Sequence, residues 1–211
     1  MKKSFIILSV GMLLLGLGSC SSEPKTEETT AEETKTDCTY AYDSSTSSLV
    51  WTAFKFTEKK GVEGTFNVIS VESDGAAKDA KKVLESISFL IETNSVETQN
   101  EERNGKIAKL FFGTIGTENI KGKIKSLSDN GKATIEIEMN EIKKDVVGEY
   151  TLEDANFSFT ATIDVVDWKA GSAITALNTA CKDLHTGADG KSKLWSEVDL
   201  SFTTTLKKEC K

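Results

Sequence analysis

Only one histidine, His185, and one proline, Pro24, occur in the 211 residues. A histidine-centred triad or a multi-histidine metal site would have to be assembled around His185 alone. Cys181 precedes it by four residues, the spacing of a ligand pair, and Asp183, Asp189 and Asp199 follow nearby. A tetrahedral zinc site usually draws four such ligands, and the chain offers no second histidine and no CxxC. "GADGK" after His185 reads as a turn. No GxSxG, no P-loop and no glycine-rich dinucleotide fingerprint is present. Acidic residues are plentiful, but most alternate with apolar ones, which puts them on a solvent face instead of in a carboxylate pair. These absences leave no catalytic residue, no metal and no cofactor to expect, and the chain is not read as an enzyme. Basic patches are missing too. The net charge is −7, and without a basic stripe a nucleic-acid partner is not expected.

Long apolar runs are confined to the N-terminus. Lys2 and Lys3 precede an apolar stretch over residues 4–18. That is shorter than the roughly 20 residues that span a bilayer, and the pattern is that of a signal peptide, residues 1–19. Leu17-Gly18-Ser19-Cys20 resembles the lipobox of bacterial lipoproteins, in which the cysteine is acylated and becomes the mature N-terminus. Lipidation of Cys20 by two or more acyl chains would tether the protein to a membrane without spanning it. Residues 20–37 then form a tether: Ser, Thr, Glu, the only proline and no large apolar side chain, with six acids against two lysines in residues 21–37. Such a segment cannot bury enough surface to offset its ordering entropy. Its acidity resembles the surface-export signal of Bacteroidetes lipoproteins, and a plain solvated spacer explains it as well. Residues 38–211 remain, enough for one domain with a real core. They keep three cysteines, Cys38, Cys181 and Cys210, an odd number that allows one disulfide and one free thiol.

Within that domain hydrophobicity alternates with period two, the mark of strands with one buried face. Eight candidates follow: "LVWTAFKF", "VEGTFNVISV", "SISFLIET", "NIKGKIKSL", "ATIEIEMN", "VVGEYTL", "FSFTATIDV" and "VDLSFTTTL". Asp129-Asn130-Gly131 is a hairpin cue between the fourth and fifth. Glycines inside strands (Gly64, Gly122, Gly148) suggest bends or bulges in a curling sheet. Eight antiparallel strands without proline predict a mainly β fold, a closed eight-stranded barrel, which also removes exposed edges. Three segments break the alternation and predict two or three short helices: "GAAKDAKKVLES", residues 99–110, and "GSAITALNTACKDL".

The stretch "NEERNGKIAKLFFG", residues 100–113, joins a charged turn to paired aromatics. Glu101 and Glu102 suit the positive end of a helix dipole. Arg103 is placed to pair with a carboxylate of a neighbouring strand. Phe111 and Phe112 would close the helix, with at least one turned into the barrel. Together with the inward-facing Trp51, Phe66, Phe89, Phe157, Phe159 and Phe202, they form an aromatic interior. A small barrel can be filled by such side chains. The same side chains can instead wall a cavity around one apolar ligand, and periodicity does not choose between the two.

From about Cys38 to Leu206 the chain resembles the YceI-like family. "SSLVWTAFKF" is similar to the family's first strand and "VEGTFNVIS" to its second. "SISFLIETNSVETQNEERNGKIAKLFFG" resembles its most specific stretch, a strand followed by a polar turn and a helix ending in Phe-Phe, here Asn100, Arg103, Leu110, Phe111 and Phe112. The family's aspartate-histidine pair after the arginine is replaced by Asn104-Gly105-Lys106. "CKDLHTGADGKSKLWSEVDLSF" resembles the last loop and strand of a Bacteroidetes-type subgroup. The resemblance implies a lipocalin-like antiparallel barrel, secreted or lipid-anchored, whose relatives include binders of isoprenoid chains. It leads us to expect a cell-envelope protein, on the periplasmic face or the surface of the outer membrane, holding an isoprenoid or fatty-acid-like molecule against Trp51, Phe66, Phe89, Phe111, Phe112, Phe157, Phe159 and Phe202. The alternative is a filled-barrel protein acting through its surface in envelope stress. A homodimer is compatible with either. In an up-and-down barrel the first strand's start lies beside the last strand's end, which favours Cys38–Cys210; Cys38–Cys181 and Cys181–Cys210 remain open.

Overall fold

A computed structural model describes residues 37–211. The expected signal peptide, Cys20 and all but the last residue of the expected tether lie outside the described residues.

The alternating segments become twelve strands: β1 (Cys38–Ala41), β2 (Ser48–Lys55), β3 (Lys60–Phe66), β4 (Ile69–Glu72), β5 (Ser88–Glu92), β6 (Val96–Glu97), β7 (Asn119–Leu127), β8 (Lys132–Met139), β9 (Ile142–Glu153), β10 (Asn156–Asp164), β11 (Leu194–Thr205) and β12 (Lys207–Cys210). Ten of them form one antiparallel sheet in the order β4-β5-β7-β8-β9-β10-β11-β2-β3-β6. The eight expected strands account for nine of these ten, because the second is interrupted at Asn67 and Val68 and becomes β3 and β4. β6 lies beyond the third, after the short helical turn Thr93–Ser95, and is not among the expected strands. β5 and β6 run beside β4 and β3. Backbone bonds from Asn67 N–H to the Ser95 carbonyl (2.9 Å) and from Glu92 N–H to the Val68 carbonyl (3.1 Å) carry the seam across the breaks. The sheet thus curls back on itself into a barrel.

The closure is incomplete at one place, which corrects the expected edge-free barrel. β3 pairs with β2 only from Trp51 to Lys55, whereas Ser48, Leu49 and Val50 pair only with β11. β4 pairs only with β5. A gap therefore separates the start of β2 from β4. The break also shifts the side-chain phase. Val62, Gly64 and Phe66 share the inner face of β3, but beyond the break Ile69 and Val71 point inward and Val68, expected inside, is 40% exposed. A one-residue slip exchanges the faces of a strand.

Glycines in the strands do not mark bulges. The register irregularities fall at Ile124/Ser126 and Leu194/Val198. Gly131 does meet its expected role, turning β7 into β8 at φ +77°. β1 and β12 form a separate ribbon, with Cys38 opposite Cys210 and a disulfide between them. Cys181 is a buried free thiol.

Three helices cap the barrel. α1 (Ala80–Glu85) sets Ala80, Val83 and Leu84 over one end and is N-capped by Asp79, whose carboxylate accepts from Lys81 N–H at 2.9 Å. Phe157, Leu206, Tyr150 and Leu127 fill the barrel there. At the other end lie α2 (Glu101–Lys106) and α3 (Gly171–Ala180), the latter packed against the turn that follows α2. Trp168, 1% exposed, closes this end by donating its indole N–H to the Ile137 carbonyl at 3.2 Å.

Candidate functional site

The interior is not filled. A cavity of about 320 Å³ runs inside the barrel, within the range of small-molecule pockets. Of the eight aromatics expected in its wall, seven line it: Trp51, Phe66, Phe89, Phe111, Phe112, Phe159 and Phe202. Phe157 does not. It is 2% exposed and packs between Tyr150 and Phe202, with ring centroids 5.9 and 6.2 Å away, at the filled end. Alternation placed Phe157 on the correct face of β10 but carries no information about where along the barrel the packing stops.

Helical winding brings both Phe111 and Phe112 inside. Asn100 caps α2, its side-chain oxygen accepting from Arg103 N–H at 2.9 Å, and Lys106 pairs with Glu102 one turn back at 2.6 Å. After Lys106 the chain widens into a π-helical turn, Ile107–Phe112. Gly113 N–H bonds to the Ala108 carbonyl and Thr117 N–H to the Phe112 carbonyl, each spanning five residues. Such turns arise where an extra residue is accommodated in a helix. Here the two rings meet edge to face at 5.0 Å, and Phe112 continues to Phe66 (6.0 Å) and Phe66 to Trp51 (6.5 Å). Arg103 does not pair with a carboxylate among the described residues. Its guanidinium reaches the Thr98 carbonyl at 3.5 Å. Asn104 accepts from Thr98 N–H (2.8 Å) and Thr98 Oγ1 (2.6 Å) and so fixes the turn before α2.

Three of the wall aromatics pack directly over a glycine of a neighbouring strand. A methyl at Gly64 would fall 2.2 Å from the Trp51 ring, one at Gly122 2.3 Å from Phe89, and one at Gly148 2.4 Å from Phe159. The glycines read from the sequence as bends are therefore seats for rings. A ring seated on the wall leaves the barrel axis open; one standing upright would fill it.

Several lining residues carry no signal in the alternation. The irregularity in β11 turns consecutive Leu194 and Trp195 both toward the cavity, with Trp195 donating to the Phe56 carbonyl at 2.7 Å. Ile174 and Leu177 of α3 close the helical end. Tyr42, Ser44 and Ser47 enter the wall from the segment before β2. Among the described residues no Lys, Arg, His, Asp or Glu lines the cavity. His185 lies apart from it, with Nδ1 2.9 Å from Asn178 Oδ1. Burial, followed by the nearby Lys55 charge, holds its pKa below the ordinary histidine value. No cluster of three or more potential metal ligands occurs among the described residues.

No curated protein is significantly similar to the chain. Its fold is that of a polyisoprenoid-binding domain from Saccharophagus degradans implicated in plant cell wall breakdown: TM-score 0.54 at 15% identity over 84% of this chain and 100% of that one. BcnA of Burkholderia cenocepacia gives a TM-score of 0.52 at 15% identity over 80% of this chain and 99% of that one. The model of the YceI-like domain matches residues 40–206, nearly all of the barrel. With strand order, helical caps and sequence match in agreement, the chain belongs to the YceI-like family.

Proposed function

We propose that this protein holds a long-chain apolar molecule, isoprenoid or fatty-acid-like, inside its barrel and acts by binding, not by catalysis. The observation that carries the proposal is the cavity itself: about 320 Å³, walled by carbon along most of its length and, among the described residues, by no charged side chain. Transferring a hydrocarbon chain from water to such a wall is favourable at about 25 cal/mol per Å² buried. The polyisoprenoid-binding domain that shares the fold supports the same reading. A filled barrel acting only through its surface would need the whole interior packed as it is around Phe157. The sequence supports a lipid anchor at Cys20 and a place in the cell envelope, as part of the same proposal.

Mass spectrometry of the protein purified from a bacterial periplasm tests it. A Cys20→Ser variant of the full chain keeps any acyl anchor from being mistaken for cargo. A stoichiometric long-chain molecule, present in the native spectrum and lost on solvent extraction, is the expected result. A bare protein mass, with no uptake of added isoprenoids or fatty acids, overturns the proposal.

A further inference from the structure

The cavity wall changes character beside the gap between β2 and β4. Elsewhere it presents carbon; here Tyr42, Ser44 and Ser47 enter it. Ser47 donates toward Tyr42 Oη at 2.8 Å, and its oxygen lies 2.9 Å from Thr204 Oγ1. Thr204 is 3% exposed and lies 3.3 Å from Thr46 Oγ1. Thr46 in turn donates toward the Thr205 carbonyl at 2.8 Å and the Asp43 carbonyl at 2.9 Å. Each hydroxyl has one proton to give. Ser47 Oγ also lies 3.3 Å from the Asp43 carbonyl, so its one proton can go to Tyr42, Thr204 or Asp43. When it goes to Tyr42, the described residues supply no acceptor for the phenol's own proton.

Among the described residues no cation is directed into the corner. Asp43 turns its carboxylate to Ser45, accepting from N–H at 2.9 Å and from Oγ at 2.6 Å. Lys207, near Asp43, pairs with Glu209 at 2.7 Å. Across the gap stand Ile69, 37% exposed, and Val71. A carboxylate or phosphate drawn into this corner would lose water without gaining a counter-charge, which is costly. A neutral oxygen would gain the phenol's hydrogen bond.

We propose that the bound molecule carries an uncharged head with a hydroxyl or carbonyl oxygen, held at the gap by Tyr42 and Ser47 while its chain lies along the aromatic wall. This deepens the reading of the barrel as an apolar-ligand site and rests on it. Tyr42 donates to the head-group oxygen and Ser47 orients the phenol.

Displacement of the neutral dye N-phenyl-1-naphthylamine from the Cys20→Ser full chain tests the proposal with three probes of matched saturated chain: phytanol, phytane and phytanyl diphosphate. One net hydrogen bond corresponds to roughly three- to tenfold in affinity. Phytanol should bind tighter than phytane by about that factor, and the diphosphate more weakly than the alcohol. In Tyr42→Phe the alcohol-to-phytane affinity ratio should fall to near unity. The head-group proposal is overturned if alcohol and alkane bind alike, if the diphosphate binds as well as the alcohol, or if Tyr42→Phe keeps the ratio. If none of the probes displaces the dye from folded protein, the barrel-ligand reading itself fails.

Discussion

Replacing Gly64 by alanine should collapse part of the cavity. Gly64 faces Trp51 across the β2–β3 ladder. A methyl there would lie 2.2, 2.6 and 2.7 Å from three atoms of the Trp51 indole, and these are the closest contacts it would make. The ring must therefore move, whereas the β3 backbone need not. Trp51 is 9% exposed and held by its N–H to the Thr65 carbonyl at 3.3 Å. Displacement breaks that bond and swings the indole toward the cavity it lines. Overpacking of this kind costs about 1–3 kcal/mol. At roughly 2–4 °C per kcal/mol for a domain of this size, the melting temperature should drop by about 2–12 °C. Thermal unfolding followed by far-UV circular dichroism reads the stability, and dye titration reads the remaining cavity; both should fall. Adding Trp51→Leu to Gly64→Ala should restore part of each. If Gly64→Ala melts and binds dye like the parent, the seating of rings on glycines does not shape the wall. If Trp51→Leu rescues neither property, the strain lies in the backbone instead. Gly122→Ala should be costlier, because its methyl would also fall 2.4 Å from the Glu136 carbonyl oxygen, which cannot swing away.

Phe111→Ala and Phe112→Ala should each cost about 3–5 kcal/mol in denaturant unfolding, and the double variant less than their sum because the rings touch. Dye retention should fall in both; a loss of stability with retention unchanged removes them from the cavity wall. Reducing the Cys38–Cys210 disulfide, which spans 172 residues of sequence, should cost up to about 5 kcal/mol on the chain-entropy account. Comparing melts with and without reductant measures that loss, and non-reducing peptide maps joining Cys181 to either partner would contradict the pairing. The pKa of His185 is depressed in the folded protein, so the unfolded chain takes up its proton first. Its contribution is present above about pH 6.5 and is lost as pH falls through the folded value. Denaturation midpoints measured from about pH 7.5 to 5 should decline more steeply in the parent than in His185→Gln.

Alternation identified the sheet well because period two is local: β7 runs over Asn119–Leu127, the segment marked by "NIKGKIKSL". It failed wherever the phase is reset by something distant. The break at Asn67 and Val68 follows the change of partner from β2 to β5 and β6, and it turned Val68 outward. The irregularity at Leu194 brought Trp195 inward by the same logic. The π-helical turn at Ile107–Phe112 also escapes a pattern built on 3.6 residues per turn. Arg103 had acidic strands to choose from in sequence, but the turn places its guanidinium beside Thr98.

By itself the sequence determined a mainly β domain with helical caps and an aromatic interior, since each follows from residue type and short-range spacing. Only the tertiary structure decided that seven of eight aromatics wall a cavity and the eighth belongs to packed core. It also decided that three glycines seat their rings, and that Tyr42 and Ser47 meet at a gap in the barrel. The reason is physical. Whether side chains fill a barrel or line it depends on how rings on neighbouring strands lie against one another, and no single strand's sequence contains that relation.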